Sequence, residues 1–182
     1  MPKILESPKE SIIEHAKRII MRDGYNSFTM RKISEESGIA IGTIYNYFPN
    51  KKDLTVELMM DYWQEYLYFV QKVDNDEKDF YKKLYLIYEE LIEFIATFLD
   101  VWIKDSTDEY TKEDMEKRKA FTEKFVSILE VILRRAEAEG QISIPTNYHD
   151  TANFLVLNII MLAQMKLFQY ENFEKIIRKL FT

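Results

Sequence analysis

The sequence predicts an all-α fold, on two observations. Apolar residues recur three and four apart along nearly the whole chain, the spacing of one face of a helix, and no segment alternates as a strand does. Turn-forming residues are scarce: four glycines and four prolines stand among 182 residues. A β-sandwich needs a turn signal every ~8–12 residues.

Pro8 opens the first periodic segment, in which Ile12, Ile13, Ala16, Ile19 and Ile20 share one helix face. Gly24 is placed to end it in a left-handed cap. Thr29 is a good N-cap for a short second helix that turns Met30 and Ile33 inward. Lys32 stands where a capping box would want Glu or Gln. Gly38 marks the next reversal, and a third short helix covers about Ile41–Tyr47. Pro49-Asn50 breaks the chain, and Asn50 with Asp53 resembles a capping box for a fourth helix.

Longer elements follow. Met59, Tyr62, Trp63, Tyr66, Val70 and Val73 form one stripe, and the polar run Asp74–Asp79 reads as a loop. Leu84, Tyr85, Tyr88, Leu91, Ile92, Ile95, Leu99 and Trp102 form a second, closed by a loop over Asp105–Thr111. Phe121, Phe125, Ile128, Ile132 and Ala136 form a third, ended by Gly140 and Pro145. Asp150–Phe168 is apolar on nearly all sides, which predicts burial on all sides. A short helix over Glu171–Phe181 ends the chain.

Composition narrows the function. Apolar residues make up 47% and charged residues 31%, enough for a core and too apolar for disorder. The absence of cysteine removes a disulfide framework, a thiolate metal site and a Cys nucleophile. The stretch MPKILESPKE has no apolar core of ~7–15 residues, and Phe154–Leu162 is too short and too polar to span a membrane. A soluble, cytoplasmic protein without membrane partners is expected. Net charge is −6, but it is unevenly spread: +3 over residues 1–52 and −9 over residues 53–182. Such asymmetry points to a nucleic-acid-binding end joined to an acidic body.

Three short helices with a glycine-bearing turn between the second and third describe a helix-turn-helix. The third must fit the major groove, so its outward residues must be small or hydrogen-bonding. Ile44 and Phe48, four apart, can anchor it. Gly42, Thr43, Asn46 and Tyr47 then face outward, with Ile41 and Tyr45 at the flanks. Thr offers a hydroxyl or a methyl, Asn pairs with adenine, and Tyr hydroxyls reach phosphates. Lys51 opens the fourth helix, where its ammonium and backbone N–H groups can share a phosphate.

The stretch from Gly24 to Ser34, and above all Gly42-Thr43-Ile44-Tyr45-Asn46-Tyr47-Phe48-Pro49-Asn50-Lys51, closely resembles the DNA-binding domain of the TetR (TetR/AcrR) family of transcriptional regulators. The resemblance covers about residues 9–55. It implies a DNA-binding domain over residues 1–52 and a larger helical domain over residues 53–182 for ligand binding and dimerisation. It implies a homodimer on a palindromic double-stranded operator, its half-sites about one helical turn (~34–36 Å) or a multiple of it apart. A small organic effector would shift the fourth helix and release the operator, as in a repressor. By position, Thr29 and Arg31 fall where the second helix contacts phosphate and base. Ile41, Thr43 and Asn46 fall at base-reading positions, and Tyr45, Tyr47 and Lys51 at phosphate-contact positions. Ala40 and Ile41 depart from the Ser and Lys of many members, and Ser34 replaces a usual Ala, a change expected to matter little.

The aromatic stripes of the body read first as core, because rings at helical spacing usually pack. A tyrosine-edged apolar pocket would suit an organic effector, and Tyr62, Trp63, Tyr66, Tyr85, Tyr88, Trp102, Phe125 and Met161 are candidates to line it. His15 and His149 have no His-x-x-x-His or Cys cluster to join, so neither a metal nor another cofactor is expected. Glu89, Glu90 and Glu93 read as a solvated helix face. Asn158, inside an apolar helix, could fix register across a dimer or face the pocket. No catalytic grouping is present, so an enzyme is not expected. The alternative is a helical carrier or enzyme with a vestigial helix-turn-helix end.

Overall fold

The computed structural model describes residues 7–75, 78–104, 112–165 and 168–182, with the side chains of 97–104, 113, 114 and 118 also outside the description. Among the described residues there is no strand. The elements are α1 (Pro8–Asp23), a 3-10 turn (Tyr25–Ser27), α2 (Met30–Ser37), α3 (Ile41–Tyr47), α4 (Lys51–Asp74), α5 (Phe80–Lys104), α6 (Lys112–Ala138), α7 (Tyr148–Met165) and α8 (Tyr170–Leu180). The expected loop over Asp105–Thr111 lies outside the described residues.

The chain divides into two compact units. One is Met1–Tyr62 with Ala96–Glu109, the other Trp63–Ile95 with Tyr110–Thr182. The boundary falls inside α4, between Tyr62 and Trp63.

In the first unit, Ile12, Ala16, Ile19 and Ile20 of α1 are buried with Phe28, Ile33, Ile44 and Phe48. Ser7 begins α1 with a full capping box: its hydroxyl accepts from the Glu10 N–H, and the Glu10 carboxylate accepts from the Ser7 N–H. Gly24 ends α1, but not in the left-handed form. Its φ of 77° comes with ψ of 164°, a mirror-extended conformation that essentially only glycine adopts. The chain therefore leaves α1 extended and tightens at once into the 3-10 turn. Gly38 does take the left-handed cap, at φ 71° and ψ 6°.

In the second unit, α6 packs on α7. Asp79 caps α5, its carboxylate accepting from the N–H groups of Tyr81 and Lys82. The Gln141 side-chain oxygen accepts from the Phe80 N–H at 2.7 Å, which ties the loop after α6 to the start of α5. Thr151, Ala152, Leu155, Val156, Ile159, Leu162 and Ala163 bury one side of α7. The other side is not buried: Phe154, Leu157, Met161 and Met165, spaced three and four apart, are 42–55% exposed. The expectation of all-round burial therefore fails within one chain, because α6 covers one face of α7 and this second apolar face is left open. Asn158 turns back on its own helix, its side-chain amide donating to Phe154 O at 2.7 Å. No described helix is long and apolar enough to cross a membrane.

Candidate nucleic-acid interface

The scaffold of the site is α1, which holds α2 and α3. Arg22 at the end of α1 donates to Glu36 of α2 at 2.6 Å, and Lys32 of α2 reaches back to Asp23 at 2.6 Å. The Arg22 and Lys32 side chains hold the Asp23 carboxyl well below the usual carboxylate range. Arg22 does the same, less strongly, for Glu36. These pairs are exposed and contribute little stability each, and together they bridge α1 to α2.

The turn between α2 and α3 has its own lock. The Ser34 hydroxyl donates to Ile39 O at 2.7 Å, and the Ile39 N–H donates to the Ser37 hydroxyl at 3.2 Å. Ser34 therefore does more than the expected small change from alanine: it bridges the turn that aims α3. Position alone marked Ser34; its acceptor, five residues on, became visible only with the turn built.

Ile44 is fully buried and Phe48 nearly so. These two anchors, four apart, leave the rest of α3 outward, as the pattern requires. Ile41, Tyr45 and Tyr47 are 42–46% exposed, Asn46 is exposed, and Thr43 is half-buried. Ala40 occupies the N-cap position of α3 and offers no side-chain bond. On α2, the exposed Thr29 is the N-cap, its hydroxyl accepting from the Lys32 N–H at 3.1 Å. Arg31 is exposed, and its Nε donates to Glu35 at 2.9 Å. The half-buried Lys51 begins α4, with its ammonium over the Tyr25 and Phe28 rings at 4.0 and 5.1 Å. Asn50 accepts from the Asp53 N–H at 2.9 Å. The expected capping box is modified, since the Asp53 carboxylate takes the side-chain amide of Asn50 rather than its backbone.

Chemically, this is a face of hydroxyls, an amide, methyl groups and cations carried on α2, α3 and the start of α4. Such a set can bind phosphate and base edges. It holds no general acid paired with a nucleophile.

The proposed pocket residues do not come together as one set. Trp63, Tyr66 and Phe125 join Phe94 and Phe121 in an aromatic cluster of the second unit. The Trp63 ring lies 4.0 Å from Phe94 and 3.9 Å from Phe121, centroid to centroid. The buried Tyr66 hydroxyl donates to Ile87 O at 3.0 Å, and burial pushes its pKa well up. Tyr85 and Tyr88 meet Tyr170 instead, Tyr88 stacking on it at 4.6 Å. Tyr62 belongs to the first unit, with Lys17 over its ring. Met161 stands on the open face of α7. The Trp102 side chain lies outside the described residues. His15 donates to Ser11 O within its own helix, and His149 to Glu130. Among the described residues, no three His, Cys, Asp or Glu side chains converge as for a metal.

Comparison with known proteins agrees with this geometry. Residues 12–58 match the family described as bacterial regulatory proteins, tetR family. Over 113 residues the chain is 28% identical to an uncharacterized HTH-type transcriptional regulator, YuxN, of Bacillus subtilis, a match covering 60% of this chain but only 38% of that protein. It is also 28% identical over 137 residues to the fatty acid metabolism regulator protein of the same organism, covering 72% of this chain and 69% of that one. Among solved structures, it is similar to the B. subtilis transcriptional regulator FadR in complex with stearoyl-CoA, with a TM-score of 0.63 at 20% identity over 94% of this chain and 96% of the other. A transcriptional regulator from Cytophaga hutchinsonii gives a TM-score of 0.73 at 22% identity, over 94% and 93%. At these identities the structures establish the fold.

Proposed function

We propose that the chain, whose residues 12–58 match the tetR family of bacterial regulatory proteins, is a ligand-responsive transcriptional repressor of that family. It would act in the cytoplasm as a DNA-binding protein and not as an enzyme. The observation that carries this reading is α3: two buried anchors and an outward face of groove-sized polar residues. We assign operator contact to Thr29, Arg31, Ile41, Thr43, Tyr45, Asn46, Tyr47 and Lys51. The DNA-binding domain would span residues 1–52 and the effector and dimerisation domain residues 53–182.

The dimer is supported by the open apolar stripe of α7 and by the exposed Ile176 and Leu180 of α8. A second copy laid on that face would bury what one chain leaves open. For the effector, a long-chain acyl compound is the best-supported class. A fatty acid regulator aligns with most of this chain, and a solved relative of the same fold holds stearoyl-CoA. The rings of Trp63, Tyr66 and Phe125 are packed together in the second unit, so an acyl chain would have to part them to enter there.

The test is selection of duplexes from a random pool by the purified full chain, at two salt concentrations. The expected result is an enriched inverted repeat whose binding falls steeply with salt. Failure to enrich any duplex at low salt, with no bound compound found by mass spectrometry, would move the chain to the carrier reading. Acyl-CoAs and free fatty acids added to the selected complex should release it. Release only by compounds without an acyl chain would remove that effector class.

A further inference from the structure

Between Lys32 and Lys51 the sequence has no Lys or Arg, so α3 presents no cation to a base edge. Guanine is read in the major groove chiefly by Arg or Lys on its O6 and N7. Arg31 sits on α2, with its Nε donating to Glu35. What α3 offers instead is hydrocarbon, one amide and the hydroxyls of Thr43, Tyr45 and Tyr47. Ile41 stands 42% exposed at the start of the helix, while Ile44 and Phe48 fill the space beneath. The adjoining Ala40 is exposed too. At Gly42 a β-carbon would meet nothing within 4 Å, so no side chain screens the middle of that face. Thr43 adds a second methyl and Asn46 the amide. Thymine is the base that shows a methyl group in the major groove, and adenine the one whose N6 and N7 match an amide.

We infer that α3 reads an A·T-rich half-site, with thymine methyl groups taken by Ile41 and Thr43 and an adenine taken by Asn46. This rests on the DNA-binding reading above and adds the chemistry of the sequence it prefers. Packing against a thymine methyl also accounts for an apolar β-branched residue on a face that is otherwise polar.

The experiment replaces thymine by uracil, one position at a time, in a duplex selected by the full chain. Uracil keeps every hydrogen bond of thymine and removes only the methyl. At one or two positions in each half-site, uracil should weaken binding about fourfold, the value of burying one such carbon. Ile41→Ala should weaken binding to the thymine duplex and erase the thymine–uracil difference at its own position, a coupling that two independent effects would not produce. Equal binding of thymine and uracil duplexes at every position would overturn the inference and leave the regulator reading intact. So would half-sites enriched in guanine at their central positions. Failure to enrich any duplex at low salt, with no bound compound found by mass spectrometry, would overturn both.

Discussion

Helices α2 and α3 run for eight and seven residues, while α5 and α6 run for twenty-five and twenty-seven. The short pair is set by single side chains: Thr29 begins α2, Ser34 bridges the turn, and Ile44 and Phe48 anchor α3. Segments this short are not stable helices in water by themselves, so each needs a cap or an anchor. Around α4, α5 and α6 the work is spread over rings, with Trp63, Tyr66, Phe94, Phe121 and Phe125 in mutual contact. The contrast suits the two tasks proposed for them. A groove-reading face needs a few side chains at fixed positions, whereas an effector site needs an apolar interior that can be shaped in many ways.

The largest effect should come from removing a ring. Phe125 is fully buried, and Phe125→Ala should lower the free energy of unfolding by about 3–5 kcal/mol, read by urea denaturation. The groove-facing side chains of α2 and α3 should be unaffected, so duplex affinity per folded molecule should hold. A loss under about 1 kcal/mol would mean that the rings do not carry the second unit, and the contrast would fail.

A smaller effect sharpens the same comparison from the other side. Thr29→Ala removes the α2 cap and should cost about 1 kcal/mol, while Thr29→Ser should restore it. Ala40 is the complement: it sits at the α3 cap position with no side-chain bond, so Ala40→Ser should stabilise by about 0.5–1 kcal/mol. Thermal unfolding of the three variants would measure both. If neither cap changes stability, α2 and α3 are set by their buried anchors alone.

Legibility in the sequence follows the same division. Thr29, Gly38, Ile44 and the Asn50–Asp53 pair act over four residues or fewer, and each is found where its spacing put it. Asn147 caps α7 with Asp150 in the same Asn-x-x-Asp way, a pair that the sequence reading passed over. What spacing could not supply was any partner far along the chain. Lys83 is buried, and its ammonium donates to Asp74 O, which also accepts from Arg135 sixty-one residues further on. A lysine within an aromatic stripe gives no sign of that. The open stripe of α7 escapes the sequence for a related reason, since periodicity reports that a face is apolar and not which chain covers it. For the pocket candidates, ring spacing could not divide Trp63 and Tyr66 from Tyr85 and Tyr88, which meet different neighbours.

The smallest expected effect concerns acid, and here single carboxylates of the two units are shifted in opposite directions. In the first, Arg22 and Lys32 hold Asp23 below its ordinary value, and Arg22 holds Glu36 there too. Their contribution is complete above the unfolded carboxylate value of about 4 and is lost as pH falls through the lowered folded values. In the second, burial and the neighbouring Glu93 raise Glu90. Its charged form is disfavoured by folding, so its penalty is present above the raised value and relieved as pH falls through it. Unfolding free energies between pH 7 and pH 2 should therefore show Asp23→Asn with a shallower acid-side loss than the parent. Glu90→Gln should be more stable than the parent at pH 7 and equal to it at low pH. Glu137 separates local chemistry from location: it lies in the second unit, yet its bonds from Tyr148 and the Ile144 N–H lower it. Glu137→Gln should therefore follow Asp23→Asn and not Glu90→Gln. If it follows Glu90→Gln instead, the sign belongs to the unit as a whole and not to the partners of each carboxylate.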